Sequence, residues 1–271
     1  MRLISSRSAT PGVARGGATN DRHRPEAAAH GAAPPGRPWA RLLAGALLAA
    51  AGQLVWATDA ATEAMQAAYE PYRAALFRTN SKSQAESERA LAAARAAWKQ
   101  VRERFEGKAP PPYDRDPRFA ATLAAVDAAY ANAQSQVGQK ELARAHETLE
   151  EVRDLLGELR RRNGVVVFSD HVNAYHEQME RVLTEAPRWL AQPAGLTELA
   201  FEAGALDHLA QRLSAEAGVL RDDAAFVAAL KEVQASSARL RAALRAQDAA
   251  AARQALGELK PPFSRLFLRF G

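Results

Sequence analysis

The chain repeats itself. Residues 116–164 align without a gap on residues 223–271, an offset of 107 (223 − 116). Phe119, Leu123, Val126, Leu149, Leu159 and Gly164 recur as Phe226, Leu230, Val233, Leu256, Leu266 and Gly271. Matching alanines carry little weight in so alanine-rich a chain, whereas large apolar residues at core spacing carry more. The same offset relates MQAAYEPYRAALF (Met65 to Phe77) to VNAYHEQMERVLT (Val172 to Thr184). With the offset moved to 108 (199 − 91), Leu91, Trp98, Val101 and Phe105 fall on Leu199, Leu206, Leu209 and Leu213. A structural unit written twice, about 105 residues each time, limits the fold to two copies of one architecture.

That architecture reads as helical. After Thr58 the good helix formers Ala, Leu, Glu, Arg and Gln dominate and β-branched residues are sparse. Apolar residues recur at steps of three and four, as in Phe119, Leu123, Val126, Tyr130 and Ala133. The pattern predicts helices over 60–78, 82–106, 117–137 and 140–162, and again over 170–187, 194–217, 223–245 and 248–270. Asp116-Pro117, Asp170 and Asp248 read as N-terminal caps, and Ser83 with Glu86 as a capping box. Gly107, Gly138 and Gly218 stand where helices end. Short connections favour antiparallel neighbours. The expected fold is all-α, a tandem duplication of two antiparallel four-helix bundles, over 58–164 and 170–271. One long helical array is the alternative. Residues 165–169 form the connector, its Val165–Phe168 run expected to lie extended between the bundles.

The first 57 residues stand apart. Residues 1–36 are rich in Gly, Pro, Ala and Arg, without periodicity, as in a disordered leader. RPWAR (Arg37 to Arg41) followed by LLAGALLAAAGQLVW (Leu42 to Trp56) has the form of an export signal, too short for a membrane span of roughly 20 residues. Val55 and Ala57 place small residues before a cleavage point after Ala57. The mature protein is thus expected in the periplasm, with no membrane span left after cleavage. No cysteine is present, which excludes disulfides, thiolate metal sites and covalent c-type haem. The formal charge of +5 comes entirely from the first 57 residues, which hold seven Arg against Asp21 and Glu26. The remainder carries 29 basic (36 − 7) and 29 acidic (31 − 2) side chains, a balance that argues against nucleic acid as a partner.

Chemistry-bearing residues are few. In SDHVNAYHEQMERVL (Ser169 to Leu183), Val172, Tyr175, Met179 and Val182 share one helix face, with His171 and His176 at its borders. His176 and Met179, three apart, can meet one ion, and an imidazole–thioether pair suits Cu(I) or haem iron. One helix supplies only part of such a site. His208, in the same unit and preceded by Asp207, is the expected remote ligand. The plainer reading makes Met179 a core residue with histidines at the seam's edge. His146 falls in the other unit. Phe263, Leu266, Phe267 and Phe270 form an apolar stripe in the tail after Pro261-Pro262. The stripe is either a docked helix or an aromatic lid. H-E-x-x-H, a glycine-rich phosphate loop and G-x-S-x-G are all absent, so the chain reads as non-enzymatic.

An exported, alanine-rich unit of four helices resembles the periplasmic b-type and c-prime cytochrome bundles. The resemblance implies haem held by a methionine early in helix one and a histidine late in helix four. Met65 and Met179 match the former. The fourth helix of the second unit ends LFLRFG, without histidine, and the c-prime attachment motif is missing. The expected function is therefore an exported, non-enzymatic binding bundle holding a metal ion, copper first, or haem b in its second unit. The alternative is an envelope interaction or chaperone-like protein that recognises a protein partner without a cofactor.

Overall fold

Every regular segment among the described residues is helical, as the three- and four-residue spacing requires. The computed structural model describes residues 59–81, 83–192 and 194–271. The leader, the export signal and the cleavage point after Ala57 lie outside the described residues. The first half contains α1 (Ala60–Asn80), α2 (Gln84–Phe105), α3 (Phe119–Gly138) and α4 (Leu142–Arg162). The second contains α5 (Phe168–Leu190), α6 (Gly195–Ala215), α7 (Ala224–Arg245), α8 (Ala249–Gly257) and α9 (Lys260–Phe270). A short 3₁₀ turn precedes the third helix of each half, at Tyr113–Arg115 and Gly218–Asp222. The order of elements fits the repeat. Among the described residues no helix is long and apolar enough to cross a membrane.

Packing follows chain order. In the first half α1 lies against α2 and α4, and α3 against the same two. In the second, α5 lies against α6 and α9, and α7 against α6, α8 and α9. The buried faces are the stripes expected from sequence: Leu123, Val126, Tyr130 and Ala133 on α3, and Val172, Tyr175, Met179 and Val182 on α5. A fully buried Trp98 on α2 sits 6.3 Å from the Tyr130 ring, an arrangement worth about 1 kcal/mol beyond area burial. Asp248 caps α8 as expected, accepting from Ala250 N at 3.0 Å and Ala251 N at 2.9 Å. Asp223 does the same for α7.

Several local expectations change. Ser83 precedes α2 but its hydroxyl makes no cap bond, and the Glu86 carboxylate pairs with Arg78 at 2.9 Å instead of reaching back to it. Asp116 lies before the start of α3 and accepts from Arg118 N, Arg162 and Asn163, tying that turn to the end of α4. Lys140, rather than Gly138, takes the left-handed backbone after α3, at φ 65°. Gly164 and Gly218 do take it, at 67° and 54°. The connector is shorter than its apolar run suggests. Val167 is extended, but Phe168 already belongs to α5, with its ring edge-on to Phe226 at 5.5 Å. Asp170 is not the cap residue. It sits in the first turn of α5, where its carboxylate accepts from Val167 N at 3.1 Å. The eighth predicted helix is two. Pro261 and Pro262 lack the N–H that a helix interior needs, so α8 stops and α9 starts with both in its first turn.

Both halves belong to one compact unit. They meet through α1 and α4 on one side, and α5 and α9 on the other. Arg160 of α4, 1% exposed, places Nε 3.0 Å from each carboxylate oxygen of Asp170 on α5. Tyr69 Oη of α1 bonds the Asn173 side chain of α5 at 3.2 Å. Arg73 of α1 donates to the carbonyls of Leu268, Arg269 and Gly271, at the negative end of the α9 dipole.

Candidate functional site

The seam between the halves is filled along part of its length and open elsewhere. The open part is a cleft of about 460 Å³ between α1, α4, α5 and α9. Its size falls within the roughly 300–1,000 Å³ of small-molecule sites. The apolar wall comes from Leu76 and Phe77 on α1, Met179 on α5, and Phe263 and Phe267 on α9. The polar lining is Asn80, His146, Glu150, His176, Glu180, Lys260 and Ser264.

Each wall has a local cause. Pro261 and Pro262 end α8 and redirect the chain, and the Phe263/Phe267 stripe of the new helix then faces α5 and α1. Phe263 stacks on the His176 ring at 5.2 Å, with the planes 2° apart, and on Tyr175 at 5.5 Å. The tail is thus both a docked helix and one wall of the cleft. Met179, 1% exposed, lies on the core stripe of α5 and borders the cleft as well.

Charges of alternating sign cross the seam as a string. His146 Nε2 lies 3.8 Å from Glu150, and Glu150 lies 3.6 Å from Arg153 Nη1. Arg153 Nη1 reaches across from α4 to His176 Nδ1 at 2.9 Å. His176 Nε2 lies 3.5 Å from Glu180, whose carboxylate meets Lys260 Nζ at 2.9 Å. The His176 imidazole, joined by the Lys260 ammonium, holds the Glu180 carboxyl at about 2, against the desolvation that opposes it. The carboxylate stays ionised across the ordinary pH range.

The partners fix the histidine tautomers. A guanidinium has only donors, so His176 Nδ1 accepts from Arg153 and the ring proton sits on Nε2, toward Glu180. A metal at that nitrogen must displace the proton and break the Arg153 bond. His146 is arranged the other way. Its Nδ1 donates to the Leu76 carbonyl at 3.0 Å, leaving a lone pair on Nε2. That is the arrangement of a ligand imidazole steadied by a backbone carbonyl.

The three residues expected to form a metal site are therefore divided. His176 and Met179 line one cleft. His208 is exposed on α6, which contributes nothing to the cleft lining. Asp207 turns to Arg241 of α7 and to Gln211. The second imidazole of the cleft is His146, from the other half. Among the described residues no group of three or more His, Asp or Glu is placed to hold a metal ion. His146, Glu150 and Arg153 were not legible as site residues, because only the packing of one half on the other brings α4 to α5.

A larger groove of about 610 Å³ runs between α4 and α5. Ionised side chains such as Arg153, Asp154, Glu158 and Arg161 dominate it, and it offers no aromatic wall. No family model matches the chain, and neither does any curated protein or solved structure.

Proposed function

We propose that this chain is an exported, non-enzymatic helical-bundle binding protein whose ligand lodges in the cleft between its halves. One observation carries the reading: the cleft joins an aromatic wall to polar groups drawn from both halves, which is the make-up of a small-ligand site. The form of an export signal in Arg37 to Trp56 supports a periplasmic location. A metal ion or haem b remains a ligand to be tried, with His146, His176 and Met179 as the residues that face it. The imidazoles and the thioether would supply the ligands for copper or haem iron. The rival reading, an envelope interaction protein without a cofactor, draws on the exposed Phe201 of α6.

The test uses protein recovered from the periplasm. Its N-terminus is expected at Thr58. Native mass spectrometry, metal analysis and the absorption spectrum of the same sample report what it carries. A bound molecule or stoichiometric metal, lost in His176→Ala, supports the reading. A sample that carries nothing, and binds neither haem, copper nor any compound of a small-molecule panel, sinks it in favour of the cofactor-free rival.

A further inference from the structure

The repeat gives the cleft a counterpart, and the counterpart is filled. By the offset of 107, His176 and Met179 of α5 correspond to Tyr69 and Tyr72 of α1. Phe267 of α9 corresponds to Arg160 of α4, and Lys260 to Arg153. The two halves meet reciprocally, α1 against α9 and α5 against α4. Each set of residues therefore occupies an equivalent position along the seam.

On the first side the space is closed by the protein itself. Tyr69 and Tyr72 are 1% and 0% exposed, with ring centroids 4.8 Å apart. Tyr72 Oη donates to the Leu149 carbonyl at 3.0 Å, and Tyr69 Oη bonds Asn173 across the seam. Two phenols with satisfied hydroxyls thus fill that position. On the second side an imidazole and a thioether stand where the phenols stand on the first. Neither projects a six-membered ring with a hydroxyl at its tip, and both border the cleft.

We infer that the cleft takes a small phenolic ligand, whose ring occupies the place that tyrosine rings fill on the other side of the seam. The inference rests on the reading that the cleft is the ligand site. Phe263 and Phe267 make the lining aromatic, and Met179 sulfur contacts with aromatic rings are favourable. The lining also selects the polar group. Glu180 is ionised and Glu150 stands nearby, so the rim presents acceptors to a hydroxyl donor. A plain hydrocarbon leaves these acceptors facing a ring that has nothing to donate.

The experiment uses p-cresol, the side chain of tyrosine as a free molecule. The chain has three methionines, Met1, Met65 and Met179. With ¹³C-methyl methionine in the full chain, Met65 reports the first core and Met179 the cleft. Met65→Leu and Met179→Leu assign the signals. Ring-current shifts from p-cresol are expected at Met179 and not at Met65, with binding at least tenfold tighter than toluene. The double substitution His176→Tyr, Met179→Tyr copies the filled side, and p-cresol binding read by calorimetry should vanish while melting temperature rises. If that variant does not fold, the wild-type shifts decide alone. Toluene binding as tightly as p-cresol overturns the phenol assignment. Copper(I) or haem shifting Met179 where p-cresol does not also overturns it, while leaving the cleft as the ligand site. No shift at Met179 with any of these probes overturns both.

Discussion

The two halves share one order of helices, yet Tyr69 and Tyr72 fill their position in the first half while His176 and Met179, their counterparts in the second, border an open cleft. On the closed side α1 contributes Tyr69 and Tyr72, and α4 the buried Arg160. On the open side α5 contributes His176 and Met179, and α9 contributes Phe267 beyond a proline break. The same order of helices can thus carry different side chains at matching positions of the two halves.

The sharpest way to break this contrast is to truncate the plug. Tyr72→Ala removes a fully buried ring and leaves the Leu149 carbonyl without that donor. A loss of about 3–5 kcal/mol is expected by denaturant titration. Met179→Leu, at the equivalent position of the open side, conserves volume and should cost less than about 1.5 kcal/mol. Equal losses at the two positions would show that the sides are energetically alike.

Next in size is the ion pair that joins the halves. Asp170→Ala leaves the Arg160 guanidinium, 1% exposed, without its carboxylate, and removes the acceptor for Val167 N. The expected loss is about 3 kcal/mol by chemical denaturation. Arg160→Met with Asp170→Ala, which removes both charges, should recover part of it. A double variant weaker than Asp170→Ala would mean that the guanidinium matters by packing rather than as a partnered charge.

The smallest effects are those of pH, and they also separate the sides. The five tyrosines, Tyr69, Tyr72, Tyr113, Tyr130 and Tyr175, are all buried, and burial raises the pKa of each. Tyr175 is raised to about 12. A phenol raised in the folded state stabilises fully below its unfolded value, near 10, and that contribution is lost as pH rises through the folded value. Absorbance at 295 nm should therefore show no tyrosinate at pH 10, then a steep rise with unfolding near pH 12. Gradual ionisation centred on pH 10 would contradict the closed seam. Glu180, held at about 2, works in the opposite sense. Its contribution is present above the ordinary glutamate value, about 4.3, and fades between there and about pH 2. Glu180→Gln should therefore flatten the acid limb of the melting curve.

How much of this was legible beforehand differs from element to element. The stripe Val172, Tyr175, Met179 and Val182 was readable because helical periodicity is a local property of the chain. So was the break at Pro261-Pro262, since a missing N–H acts wherever the residue stands. Asp170 as a cap was a near miss. Its carboxylate does satisfy an N-terminal N–H, but the pairing with Arg160 is a tertiary contact that pulls the residue into the first turn. His208 looked like the better remote ligand because it shares a unit with His176. That choice assumed that a site is assembled within one half.

The sequence by itself determined the all-helical class, the twofold writing of the unit, the core stripes, and the absence of cysteine chemistry. These follow from propensity, periodicity and composition, which need no knowledge of what lies far away along the chain. Only the tertiary structure decided that α4 meets α5 and α1 meets α9. That packing put His146 and Arg153 beside His176, left His208 in solvent, and made the aromatic tail a wall. The physical reason is that a seam between two halves depends on the shapes of both surfaces at once. Tyr69 reaches across the seam to Asn173 and Tyr72 closes the core beneath it on Leu149, whereas His176 and Met179 border the open cleft.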